Sequence, residues 1–181
     1  MARAGDTIEN PVTGERIVFR QTSADTNGEL LQFDLYLRAH GFVPAKHVHA
    51  RQEERPEVVS GGVRYRLGGE ERALGAGEAV VLPPGIAHTL WNDAEEEAHL
   101  IMDVRPALDV ETALETMFGL ARDGKTNDKG MPNTLHAALL AREYELFLAG
   151  PPIAVQRAGT AILAPIARLL GYRTKYREYS R

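Results

Sequence analysis

From about residue 7 to residue 106, apolar side chains recur at every second position in short runs separated by turn-forming residues. In Leu31-Gln-Phe33-Asp-Leu35-Tyr-Leu37 the alternation predicts a strand with one buried face. Val63-Arg-Tyr65-Arg-Leu67 repeats it and ends at Gly68-Gly69, a hairpin signal. Ala79-Val-Val-Leu82 is stopped by Pro83-Pro84-Gly85, and Ala98, Leu100, Met102 and Val104 form the last clear stripe. Short strands at regular spacing with turns between them predict a β-sandwich or barrel.

After Pro106 the period changes from two to three and four. Asp109 is placed to cap a helix whose apolar face is Val110, Ala113, Leu114, Met117, Phe118 and Ala121, ended by Asp123-Gly124. A polar loop over residues 125–133 leads to a second helix predicted over 134–149 and closed by Gly150-Pro151-Pro152. A third is predicted over 153–170, with Pro165 expected to kink it. The fold class is therefore mainly β: a barrel over residues 1–106, then a C-terminal extension of about three helices over 107–181. That extension is expected to pack on the barrel or on a partner subunit.

Composition narrows the chemistry. The chain has 181 residues and a net charge of −4, which argues against a nucleic-acid partner, since that would need a basic face. The basic, tyrosine-rich tail over 172–179 reads as a docked terminus. There is no cysteine, so any metal must be held by nitrogen and oxygen. The predicted third helix is interrupted by Gln156, Arg157 and Arg168, which argues against a membrane span. The opening residues lack the apolar stretch of a signal peptide, so a cytoplasmic location is expected.

Three histidines and a carboxylate stand out against this background. His47 and His49 are two apart, so on one strand both point to the same face. Glu54 has the wrong parity for that strand and must be brought back by a bend or by the next strand. His88 follows the Pro83-Pro84-Gly85 turn and is placed to supply a fourth ligand from across the barrel. Three nitrogens and one oxygen suit one divalent ion among Fe, Mn, Ni, Cu and Zn, without choosing between them. Neighbouring Glu53 is the rival ligand if a bulge shifts the register.

These residues sit in two segments that resemble the two cupin motifs. Gly41, His47, His49, Glu54 and Gly61 fill the first; Gly77, Pro83, Gly85, His88 and Asn92 fill the second. The resemblance, over about residues 30–106, implies a double-stranded β-helix (jelly-roll) barrel, a metal ion inside it and a homodimer. It makes His47, His49, Glu54 and His88 the metal ligands. One position departs from the pattern. Two residues after Glu54, where an inward aromatic is frequent in the family, this chain has Pro56, which suggests a bulge or an edge strand.

Other candidates carry blander expectations. Arg51 and Gln52 read as a solvated turn, and His40 and His136 as a loop residue and a structural residue. His99 is expected to face either the pocket or solvent. Arg64 and Arg66 are expected to face water opposite a buried Tyr65, and Trp91 to pack under a helix or at a subunit interface. The functional expectation is a metal-binding protein acting on a small organic molecule. Its first form is a metal-dependent enzyme, dioxygenase-like (an oxidoreductase) or isomerase-like, with Glu54 also serving as a proton shuttle. The alternative is a non-catalytic protein that binds a small molecule with the help of the metal.

Overall fold

Alternation builds the first strands as expected. The computed structural model describes residues 2–179. Strands β1 (Thr7–Asn10), β2 (Glu15–Gln21) and β3 (Leu31–Leu37) come first, followed by β4 (His47–His49) and β5 (Glu53–Ser60). The hairpin of β6 (Gly62–Leu67) and β7 (Glu70–Gly75) turns at Gly68, whose φ of +60° suits a residue without a Cβ. Then come β8 (His88–Trp91) and β9 (Ala98–Arg105), α1 (Val110–Arg122), α2 (Thr134–Tyr144), β10 (Leu146–Leu148) and α3 (Ile153–Leu169).

The strands form two five-stranded sheets, in the orders β1-β2-β3-β9-β5 and β10-β4-β8-β6-β7. Their ladders are antiparallel, and the fold is a jelly-roll barrel with helices after it. Ile17, Phe19, Phe33, Leu35, Leu100 and Met102 of the first sheet meet Val63, Tyr65, Leu74 and Leu90 of the second in one core. Burying a side chain of this kind contributes about 1.5–3 kcal/mol, so this layer is the main favourable term for the barrel. Ala79–Leu82 makes isolated bridges, Leu82 to Glu54 and Ala79 to Glu57, that join the edge of β5 to the second sheet's loops. Pro56 lies in β5, the edge strand of its sheet, where the missing donor costs least.

The helices are tied into the barrel. Val110 and Phe118 of α1 belong to the barrel's core. The buried Glu111 accepts bonds from the backbone and hydroxyl of Ser23 at 2.9 and 2.8 Å. Asp109 occupies the N-cap position of α1, but its side chain makes no capping bond. Asn133 does cap α2, accepting from the amide of His136 at 3.1 Å.

The second helix is shorter than expected. It stops at Tyr144 because Glu145 adopts a left-handed conformation, φ +51°, and Leu146–Leu148 becomes a strand against β4. α3 continues through Pro165 and buries Ala164 and Ala167 on Leu139 of α2, leaving Val155, Ile162 and Leu169 exposed. The tail docks through Tyr179, which packs on Leu120 and Leu140 and donates to Asp123 at 2.6 Å. Among the described residues, no helix is long and apolar enough to cross a membrane.

Candidate metal centre

Two facing sheets supply the four candidate ligands. β4 carries His47 and His49 on one face, and β8 runs beside it with His88 directly opposite His47. Glu54 comes from β5 in the other sheet, which resolves its parity: the carboxylate reaches the histidines from across the barrel. The backbone around them is held by motif residues that are not ligands. The amide of Gly85 donates to the carbonyl of His49 at 2.8 Å. Asn92 locks the turn after β8, with Nδ2 donating to the carbonyls of Leu37, Arg38 and Glu96. A side chain at Gly61 would press on the backbone of Ala98 at 3.0 Å.

The four side chains converge. One donor atom from each of His47, His49, Glu54 and His88 lies within 4.8 Å of all the others. An ion with bonds of about 2.1 Å needs donors about 3–4 Å apart, so a small contraction closes the set. Glu54 Oε1 is 3.0 Å from His49 Nε2. His88 Nε2 is 3.2 Å from Glu54 Oε2 without the geometry of a hydrogen bond, and it is otherwise a buried nitrogen with no partner. An orphaned nitrogen aimed at a carboxylate is costly in a metal-free barrel and useful in a metal site.

The outer ring nitrogens are all occupied. Nδ1 of His47 lies 3.1 Å from the carbonyl of Ala45, and Nδ1 of His88 lies 3.0 Å from that of Ile86. Nδ1 of His49 lies 3.2 Å from Gln52 Oε1. Carbonyl oxygens only accept, so Nδ1 carries the proton in each ring. Each Nε2 is thereby turned inward, the direction from which a metal ion would take its lone pair.

Electrostatics separates His47 from His49. Burial pushes the His47 imidazole down to about 3, with the neighbouring His49 and His88 charges adding to it, so the ring is neutral. Burial alone would raise the Glu54 carboxyl, but the charge and hydrogen bond of His49, with His88 close beside it, outweigh it and hold the group well below the carboxylate range. For His49, burial acts downward and the Glu54 carboxylate overcomes it, giving a raised value. A divalent cation entering the site would displace the proton that His49 shares with Glu54, leaving one carboxylate and three imidazole nitrogens, a donor set that suits such an ion.

The remaining candidates fall elsewhere. Glu53 pairs with Arg105 along β9 and stays out of the cluster, on the opposite face from Glu54. Arg51 is exposed and pairs with Glu145 at 2.5 Å. Gln52 is not in a solvated turn: it is 2% exposed, and sequence reasoning missed its contact with His49. His99 lies on the outer sheet face, stacked on Tyr36 at 4.3 Å and bonded to Asp34 at 2.6 Å. His40 pairs with Glu95, and the buried His136 bonds the carbonyl of Arg173. Arg64 and Arg66 face outward to Glu71 around a buried Tyr65. Trp91 lies in β8 beneath the Arg66 guanidinium, 5.8 Å away.

Comparison with known proteins bears on the fold. Residues 35–104 match the family model described as a cupin domain, and α1, α2 and α3 lie beyond that match. The solved structure of KdgF from Halomonas sp. is similar at 22% identity and a TM-score of 0.51, over 59% of this chain and 90% of that one. An RmlC-like cupin from Shewanella frigidimarina is similar at 21% identity and a TM-score of 0.50, over 61% and 94%. No curated protein matches the sequence.

Proposed function

We propose, from the premise that this chain is a cupin-superfamily protein, that His47, His49, Glu54 and His88 hold one divalent metal ion. The ion in turn serves a metal-dependent enzyme acting on a small organic molecule. One observation carries this reading: three imidazoles have their Nδ1 protons tied outward while their Nε2 atoms and one ionised carboxylate meet at a single point. When bound, the ion supplies a Lewis acid for a substrate oxygen or, if redox-active, an electron for oxygen chemistry.

In this reading the chain's own residues orient and shield. His47, His49 and His88 present their Nε2 atoms, and Leu82 and Pro56 keep the β5 edge beside Glu54 dry. Glu54 would balance the charge of a bound cation and is the carboxylate that would accept a proton from substrate. The reaction class is dioxygenase-like oxidation or isomerisation. The reading takes residues 1–106 as the barrel and 107–181 as its extension, in a cytoplasmic homodimer.

A second reading is a non-catalytic protein that uses the metal to bind a small molecule. It is supported by the helical extension, whose β10 lies along the ligand strand β4 and offers a route for a binding signal.

The test begins with metal analysis of protein purified without added metal. The expected result is one ion per chain, lost in His49→Ala and in His88→Ala. Iron or another redox-active metal directs the next measurement to oxygen uptake with phenols, diketones and hydroxy acids. Retained ligand binding without turnover moves the conclusion to the second reading. A wild type that carries no ion and takes none up at micromolar supply overturns both.

A further inference from the structure

His47 and His88 are oriented by the same device, a ring Nδ1 bonded to the carbonyl two residues earlier in the chain, Ala45 and Ile86. His49 has no such carbonyl. Its Nδ1 is met by the side chain of Gln52 at 3.2 Å. It is therefore the one imidazole of the cluster whose orientation depends on another side chain.

The Gln52 amide has only one way to lie. Its Nε2 donates to the carbonyl of Pro106 at 3.2 Å and to that of Ala107 at 3.1 Å. With both donors committed to carbonyls, Oε1 is turned toward His49 and can only accept. The ring must then hold its proton on Nδ1 and present Nε2 to the cluster. The two carbonyls belong to the short link between β9 and α1, and the amide of Ala107 is itself anchored to the carbonyl of Gly28 at 3.0 Å. Gln52 is 2% exposed, so water does not compete for either end of the amide.

We infer that Gln52 is the positioning residue of this metal centre, fixing the tautomer and direction of His49 and anchoring it to the link where the barrel passes into the helices. This inference rests on the metal reading given above. It assigns Gln52 no contact with the ion.

The test compares Gln52→Leu and Gln52→Glu with the wild type. The readouts are zinc affinity by competition with a chromogenic chelator and the visible absorption spectrum of the cobalt(II) form. Removing the hydrogen-bond partner of a metal-ligating histidine lowers metal affinity about 10- to 100-fold, and that drop is expected for Gln52→Leu, with a changed cobalt spectrum. Gln52→Glu keeps an acceptor for Nδ1–H but also loses the donor to the Pro106 and Ala107 carbonyls, so its affinity is expected to fall between that of Gln52→Leu and the wild type. If either variant fails to fold for want of that donor, nitrogen-15 NMR of the zinc-loaded wild type decides the matter. A slowly exchanging proton on His49 Nδ1 supports the assignment, and a His49 Nδ1 without a proton, or with one in rapid exchange with water, overturns it. Wild-type affinity and an unchanged spectrum in Gln52→Leu also overturn it. A wild type that binds no zinc or cobalt overturns the metal reading itself, and this inference with it.

Discussion

Glu15 is a buried acid on the inward face of β2, held by a 2.6 Å bond from the Thr13 hydroxyl and remote from the histidine cluster. Burial pushes its carboxyl up to about 8, against the smaller downward pull of the Thr13 bond. The folded state therefore holds a proton that the unfolded chain releases near pH 4.5. The stability this confers is fully present below about pH 4.5 and is lost as pH rises toward 8. Glu15→Gln should match the wild type in urea unfolding near pH 4.5. At pH 8 it should exceed the wild type, by as much as a few kcal/mol, since each pKa unit is worth about 1.4 kcal/mol. A variant with the same pH slope as the wild type would exclude a neutral Glu15. Residues at this scale were legible in the sequence when their type has few other uses. Two histidines at a spacing of two, joined by a third after a proline turn, point to a candidate metal site, and the structure brings the three together with Glu54. Gln52 was not legible. A glutamine after Arg51 reads as a solvated turn, and its burial depends on carbonyls 54 and 55 residues away that no local pattern encodes.

At the scale of elements, period two was the most readable signal, because a strand with one face in the core must alternate. β3, β6 and β9 follow from it directly. β10 did not, since Leu146-Phe147-Leu148 continues the apolar run of α2 and nothing in its composition ends the helix. What ends it is tertiary. β4 has only a short pairing with β8, so its other edge carries backbone groups that need partners, and a three-residue strand supplies them. The ladder sets Leu146 against His49 and Leu148 against His47, so the strand that presents two candidate ligands is backed by a piece of the extension. Phe147, between them, is 1% exposed. Phe147→Ala should cost about 3–5 kcal/mol in chemical denaturation, as expected for a large buried aromatic. The same variant should bind zinc more weakly than the wild type, because β4 loses its backing. A stability loss without any loss of metal affinity would make β10 a packing element only.

On the scale of the whole molecule, the barrel and its extension are interleaved. α1 contributes Val110 and Phe118 to the barrel core, β10 extends the ligand-bearing sheet, and Gln52 bonds the link that begins the helical part. The change of period after Pro106 marks a change of element type, while the packing crosses it freely. The proposed metal binding would then have a spatial signature. A ligand that binds only the intact site stabilises by mass action, by about 2.7 kcal/mol at one hundred times its Kd, and only against openings that break the site. Fluctuations that separate β4 from β8 or peel β10 from β4 disturb the histidines, whereas fraying of β1 from β2 does not. Hydrogen exchange followed by mass spectrometry, with and without saturating zinc, should therefore show slowed amides over residues 46–50 and 146–149, by up to about one hundredfold. Exchange over residues 7–10 should be unchanged. His49→Ala should show no zinc effect at either place. If protection rises in β4 but not in β10, the extension opens independently of the metal centre, and the coupling between the two halves of the chain is lost.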